Sequence, residues 1–433
     1  MKTVMRLRTL FAAAGLALAL SVHAQTGGPT APVADKATLT KEVKETVMKE
    51  VNRIVTSVAF VPGVDFAKWT EFMDSQKDTV EKAETPRDLT MAVNAALRKF
   101  GISHIVMSTP EMANARRTRS TVGIGVQIQP EPGKGIRVLN VFPESPAFQA
   151  GILPGDLIVE ANGKKVESPT DMAGEEGASV SIKVDRDGKS KTFKIVRKKY
   201  SNVRPETLTW PTPDTAVLKI NTFDLAYDAK NVETLMQEAT KAKNLLIDLR
   251  SNGGGAVTNL IHLLALLLPE KTPIGTFVQR GMVDRFVKET GGSPTDLDAI
   301  ARFADRPVRT GKPKIDRFKG NVGVLVNGGS GSASEIAAAA LHETLGSPII
   351  GSKSAGAVLV SIMGPLPHGF MLQYPVTDYV TSRGVRLEGN GVEPMVEAPA
   401  VVRWGEKDVA IDKAVLLMAR IGRREETGGK SGT

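Results

Sequence analysis

Hydrophobic positions fall into three successive regimes along the chain. From about Thr40, Val43, Val47, Val51 and Ile54 recur at helical spacing. A second helical pattern covers roughly Pro86 to Phe100, with Asp88 as its candidate cap and Gly101 as its terminator. A short extended segment, Gly101 to Met107, follows it and carries His104. Between 119 and about 199 the period turns to two (Val122, Ile124, Val126, Ile128), with turn signals at Pro130 to Gly135, Pro154-Gly155, Asn162-Gly163 and Asp187-Gly188. From Leu208 onward, apolar runs at Ala216–Ile220, Leu245–Leu249, Val322–Val326 and Ile349-Ile350 alternate with helical stretches, which predicts an α/β layer. The stretch 271–319 is polar and punctuated by Gly and Pro, and reads as a lid or a solvated insertion.

Composition adds bounds to that pattern. The chain has 433 residues, 41% hydrophobic and 24% charged, enough for two or three domains. Lys2, Arg6 and Arg8 precede an apolar run of 13 residues (Leu10–Val22) and a small-residue site before Gln25. This is the layout of a secretory signal peptide with cleavage after Ala24, and the run is shorter than the ~20 residues of a membrane span. Export to the periplasm or the exterior, without stable membrane insertion, is the expectation. The chain has no cysteine, so disulfides and a cysteine nucleophile are excluded. The formal charge of +9 falls to +6 without those three basic residues and is scattered apart from Arg420, Arg423 and Arg424. No aromatic-interleaved basic patch points to nucleic acid.

Two Gly-rich loops carry the candidate chemistry. Asp248-Leu249-Arg250-Ser251-Asn252-Gly253-Gly254-Gly255 follows one apolar run and opens an apolar helix to Leu268. It lacks the Lys-Ser/Thr of a P-loop, and no GxGxxG is present, so phosphate binding is not supported. Free backbone N–H groups in such a turn suit an oxyanion hole. Asn327-Gly328-Gly329-Ser330-Gly331-Ser332-Ala333-Ser334-Glu335 follows another run and opens an Ala-rich helix from about Glu335. A serine at a strand–turn–helix corner is exposed for attack on a carbonyl, which makes Ser332 a candidate nucleophile. Read locally, the same stretch is a Gly/Ser turn capped by Ser334. No cysteine and no His-x-x-x-His spacing exists, so no metal or other cofactor is expected.

The stretch Glu144-Ser145-Pro146-Ala147-Phe148-Gln149-Ala150-Gly151 through Gly155-Asp156-Leu157-Ile158 to Asn162-Gly163 resembles a PDZ domain. That resemblance implies peptide binding by strand addition along Gly123, Ile124, Gly125 and Val126. Only Ser168 to Glu176 is available for the helix of the opposite groove wall, which is short for that role.

Taken together, DLRSNGGG, NGGSGSASE and Gly351-Ser352-Lys353-Ser354-Ala355-Gly356-Ala357-Val358-Leu359, with the PDZ-like region upstream, resemble the C-terminal processing (tail-specific) serine proteases from about residue 38 to 400. The resemblance implies a crotonase/Clp-protease-like α/β spiral core, with an N-terminal helical segment and an inserted all-β PDZ-like domain. It implies Ser332 as nucleophile, and Ala333 with Gly254 or Gly255 as the oxyanion hole. The lysine of the Ser–Lys branch is replaced by Ala357, and Ser361 stands where that branch has glutamine.

A second branch, which includes the tricorn core, uses Ser–His–Glu. Gly101-Ile102-Ser103-His104 and Arg386-Leu387-Glu388-Gly389-Asn390-Gly391-Val392-Glu393-Pro394 resemble its histidine and glutamate segments. His104 is therefore the expected base and Glu388 the orienter, with Glu393 as its competitor. Ile105 and Met395 depart from that branch's pattern. Lys353 is the rival base, and His262, His342 and His368 read as structural.

The resulting organisation is a signal peptide (1–24), an N-terminal helical region (25–118), a PDZ-like domain (119–200), an α/β protease core (201–405) and a C-terminal helix with basic tail (406–433). The expected function is serine endopeptidase action on protein or peptide substrates near their C-termini. The rival is an inactive PDZ scaffold that binds polypeptide segments.

Overall fold

The structure, a computed structural model, describes residues 39–399 and 407–428. The signal-peptide expectation and the core–tail boundary at 405/406 lie outside the described residues. The first helix, Lys41–Ser57, starts where Thr40 accepts from the Val43 N–H, and it buries Val47, Val51, Ile54 and Val55. Helix Pro86–Leu97 is capped by Thr85, not Asp88. Asp88 occupies the third helical position and closes the reciprocal capping box. A 3₁₀ turn, Arg98–Phe100, and left-handed Gly101 (φ 65°) end this helix just before His104. These helices and Met107 share a core with Leu359, Phe370 and Leu372.

The central sheet has the order Thr207–Thr212, Thr215–Lys219, Asn244–Asp248, Asn321–Val326, Ile349–Gly351 and Val396–Glu397. Its first pair is antiparallel and the rest are parallel. Alternate residues serve opposite faces, as strand geometry requires. Leu245, Ile247, Val322 and Val324 pack with helices Ala229–Ala239, Val257–Ala265 and Ala333–Leu345. Leu246, Leu325 and Ile350 pack with Ala410, Ala414 and Met418 of helix Val409–Gly428. With both faces covered, the strands can be continuous apolar runs.

The topology places the motifs together. Asn244–Asp248, Asn321–Val326 and Ile349–Gly351 are neighbouring parallel strands. The DLRSNGGG, NGGSGSASE and SKSAGAVL loops leave their carboxyl ends side by side, where α/β sheets build their sites.

A second sheet joins Val106–Ser108, Val360–Pro365, Met371–Val380, Pro273–Gln279 and Val308–Arg309. Within the stretch 271–319, residues 273–304 are not a solvated insertion but packed secondary structure. Pro273–Gln279 pairs antiparallel with Met371–Val380. Helices Arg280–Thr290 and Leu297–Ala304 bury Val283, Phe286, Leu297 and Ile300 around Val278 and Val380. Polar outer faces on short helices hid this core from the pattern.

Between Ser120–Gly123 and Lys198–Ser201, which pair antiparallel, lies a sheet with its own core of Ile136, Ile158, Ile182 and Val184. One of its edge strands is Val126–Glu131. Ile124 is buried, and its carbonyl accepts from the Ala147 N–H (2.7 Å). Gly125 (φ +88°) must be glycine, because a Cβ there would lie 2.1 Å from the Cβ of Ser145. Only a four-residue 3₁₀ turn, Pro169–Met172, occupies the place of the second groove wall.

Candidate active site

Ser332 stands at the N-cap of helix Ala333–Leu345 with φ 54° and ψ −119°. A left-handed φ at serine is costly, of order 1–3 kcal/mol, and persists only where the surroundings enforce it. Several bonds between the two Gly loops do so. The Gly331 N–H (3.0 Å) and the buried Ser334 hydroxyl (2.8 Å) both donate to the Asn252 carbonyl. The Ser330 hydroxyl donates to the Leu249 carbonyl (2.9 Å), and the Ser251 N–H to Asn327 Oδ1 (2.8 Å). Ser334 is thus a brace between loops, not the helix cap.

The helix's third residue holds the corner from the other side. Glu335 is fully buried, and its Oε2 accepts from the Ser332 N–H (3.1 Å) and the Ala357 N–H (2.9 Å). Its Oε1 accepts from the Gly356 N–H (2.8 Å) and the Ser354 hydroxyl (2.5 Å). One carboxylate therefore gathers four donors, which offsets its desolvation. The segment that would carry a lysine in the Ser–Lys branch is fastened to the Ser332 corner by its backbone.

Gly254 packs against Ser332, where a Cβ would come within 2.6 Å of the serine Cβ. Its N–H is donated to Asn252 Oδ1 (2.9 Å), so Gly254 does not offer the free oxyanion donor expected of it. Its contribution is close approach. The N–H groups of Gly255 and of Ala333, the first helical residue, make no hydrogen bond among the described residues.

His104 lies between the helix cap Gly101 and strand Val106–Ser108, half-buried and itself in the left-handed region (φ 56°). Its Nδ1 is 2.6 Å from Ser103 Oγ, and that hydroxyl donates to Glu388 Oε2 (2.8 Å). Glu388 Oε1 accepts from the Ser103 N–H (2.8 Å), and Oε2 also accepts from the Val358 N–H (2.7 Å). Glu388 thus reaches the imidazole through Ser103. Burial holds the His104 pKa below the ordinary histidine value, and the Glu388 charge partly counters it. His104 Nε2 makes no hydrogen bond among the described residues, and none joins it to the Ser332 hydroxyl.

The rival groups lie elsewhere. Lys353 and Glu393 pair with each other at the surface (2.6 Å). His262 is held by Tyr227 (2.7 Å) and Glu233 (3.1 Å), His342 by the Ser347 carbonyl (3.0 Å), and His368 by Thr46 (3.1 Å). No cluster of metal-ligating side chains occurs among the described residues.

Sequence reasoning did not single out Ser103, Glu335 or Asn252. Glu335 had a local signal, the Ser-x-x-Glu spacing of a capping box. Ser103 had only its adjacency to His104, and Asn252 had none.

Residues 214–398 match the model of peptidase family S41, and residues 122–196 match that of the PDZ domain. The chain is 27% identical over 284 residues to a probable CtpA-like serine protease of Staphylococcus aureus (strain COL), covering 64% of this chain and 52% of the relative. It is 28% identical over 328 residues to a carboxy-terminal-processing protease of Bartonella bacilliformis, covering 71% and 68%. The chain spans about half the length of the Staphylococcus relatives it matches. Among solved structures, the photosystem II D1 C-terminal processing protease superposes with a TM-score of 0.51 at 21% identity, covering 82% of this chain and 93% of that one. Mature CPAF complexed with lactacystin gives a TM-score of 0.53 at 12% identity, covering 88% and 98%. The fold is that of S41 proteases with a PDZ domain.

Proposed function

We propose that this chain is a serine peptidase that hydrolyses peptide bonds of protein substrates through an acyl-enzyme on Ser332, with His104 as base. Glu388 orients the histidine through Ser103. The observation that carries this reading is the unbroken hydrogen-bonded path from the Ser332 N–H through the 357–358 peptide group, Glu388 and Ser103 to His104 Nδ1.

The roles follow from donor and acceptor arithmetic. Ser103 gives its proton to Glu388, so it can only accept from His104; Nδ1 then carries the imidazole proton and Nε2 presents a lone pair. The lowered pKa keeps that imidazole neutral near pH 7. Nε2 takes the Ser332 proton as Oγ attacks the carbonyl, then delivers it to the leaving amine. The Ala333 N–H and the Gly255 N–H hold the oxyanion. Water, deprotonated by the same nitrogen, attacks the ester, and Nε2 returns the proton to the departing Ser332 Oγ as the carboxylic acid product is released. The Ser332–His104 hydrogen bond forms when substrate binds, since such bonds are commonly loose in free enzymes.

Substrates cleaved near their C-termini, as the relatives' names imply for those proteins, are part of the proposal, although the 3₁₀ turn at Pro169–Met172 offers little second groove wall. So is export, on the composition of the N-terminus. No helix among the described residues is long and apolar enough to cross a membrane. The unjoined Ser332 and His104, with Ala357 in the lysine position, favour a second reading as an inactive scaffold that binds polypeptides. Digestion of casein by wild type and by Ser332→Ala separates the two. Ser332-dependent cleavage supports the peptidase, and equal absence of cleavage in both supports the scaffold.

A further inference from the structure

The C-terminal helix begins with a residue that touches the oxyanion loop. Asp408 grips the Arg250 guanidinium with both oxygens, Oδ1 from Nη1 (3.0 Å) and Oδ2 from Nη2 (2.7 Å). The adjacent edge of the same guanidinium is held by Asp248, through Nε (3.0 Å) and the shared Nη2 (2.8 Å). The pairs are largely shielded, with side chains 11% and 22% exposed for Arg250 and Asp408. Asp408 Oδ1 also accepts from the Ala410 (3.1 Å) and Ile411 (3.2 Å) N–H groups and so caps the helix.

Arg250 is the third residue of the DLRSNGGG loop, and its backbone is fixed at both ends. Its N–H donates to Asp248 Oδ1 (3.0 Å), and its carbonyl accepts from Lys219 Nζ (2.6 Å). Two residues on, Asn252 binds the Gly254 N–H, the Gly331 N–H and the Ser334 hydroxyl. A shift of Arg250 would therefore be passed to Gly255 on one side and to the Ser332 corner on the other.

We propose that Asp408 is a positioning residue for the oxyanion loop, acting through Arg250. The C-terminal helix is thereby a working part of the peptidase site. The helix docks through Ala410, Ala414 and Met418 beneath the strands that carry all three motif loops. Asp408 lies beyond residue 398, where the match to the S41 model ends. The inference rests on the function proposed above.

Asp408→Ser isolates the effect, because serine caps a helix about as well as aspartate but cannot hold a guanidinium. Asp412→Ser is the control, since Asp412 is an exposed acid in the same helical turn whose side chain has no partner among the described residues. Peptide hydrolysis and amide hydrogen exchange of residues 250–256 are measured on the full chain, with active sites counted by a fluorophosphonate. Asp408→Ser should lower kcat roughly tenfold per active site at nearly unchanged KM, because an oxyanion donor acts mainly in the transition state. Exchange of the 250–256 amides should rise, and Asp408→Glu should recover part of both. Unchanged kcat per active site together with unchanged exchange in Asp408→Ser would overturn the proposal. Absence of Ser332-dependent hydrolysis in the wild type would overturn the functional reading instead, and the exchange measurement would still decide whether Asp408 holds the loop.

Discussion

Ser332 and Glu388 bind opposite edges of one peptide group. The Ser332 N–H donates to the Ala357 carbonyl (2.7 Å), and the Val358 N–H donates to Glu388 Oε2 (2.7 Å). A planar trans peptide is stiff, so it fixes the distance between the serine corner and the Glu388 carboxylate, which reaches His104 through Ser103. At position 357 the backbone supplies this link while the alanine side chain supplies no base. Installing a lysine there should not rescue His104→Ala. Recovery of Ser332-dependent peptide hydrolysis in Ala357→Lys/His104→Ala would contradict that expectation.

Ser103 should be needed as a hydroxyl. Ser103→Ala leaves Glu388 without its bridge to Nδ1, and kcat should fall about a hundredfold, at the low end of what general acid–base groups contribute. Ser103→Thr keeps the bridging oxygen and should retain most activity. Steady-state kinetics of both variants check this, and equal losses in the two would remove the relay.

The pH profile follows from the direction of the His104 shift. Its pKa is lowered, chiefly by burial, so the imidazole stays neutral until the pH falls below the usual value of about 6.5. The acid limb of kcat/KM should therefore lie below about 6.5. The Glu388 charge raises this pKa, so Glu388→Gln should move the limb further toward acid as it lowers the plateau. A limb that moves upward in Glu388→Gln would be inconsistent with the assigned geometry.

Glu335 should matter for folding as well as for rate. Glu335→Gln puts an NH₂ group where one oxygen accepts two donors, leaving buried N–H groups unpaired. The expected cost is about 3 kcal/mol, in the range for breaking a buried charged network. Urea unfolding of the variant reads this directly. A midpoint unchanged from wild type would show that the four contacts are dispensable.

Much of the site was readable locally, and the unread parts depend on long-range contacts. Ser332 and the DLRSNGGG loop are strand–turn–helix signals, complete within about ten residues each. Their meeting follows from neighbouring parallel strands, a pairing that α/β alternation makes natural. The short PDZ wall was legible as a count of residues before Gly177. Ser103 was not legible, since its partner Glu388 lies 285 positions away. The Gly254 donor expectation failed because Asn252, a loop residue without any helix or strand period, turns its amide back onto that N–H. The strand Pro273–Gln279 escaped notice because its neighbours in the sheet, Val308–Arg309 and Met371–Val380, are distant in sequence.

Lys353 and Glu393 should be expendable for chemistry. They are exposed and paired to each other, and surface pairs contribute little. Lys353→Ala and Glu393→Gln should each keep kcat/KM within about twofold of wild type. A large loss in Lys353→Ala would restore it as a candidate base.

A histidine, not a lysine, is proposed to activate Ser332. The most direct measurement is the rate of fluorophosphonate labelling at Ser332 in wild type, His104→Ala and Lys353→Ala, with the site confirmed by peptide mapping. Wild type and Lys353→Ala should label rapidly, and His104→Ala at least a hundredfold more slowly. Labelling of His104→Ala at the wild-type rate would contradict that role for the histidine.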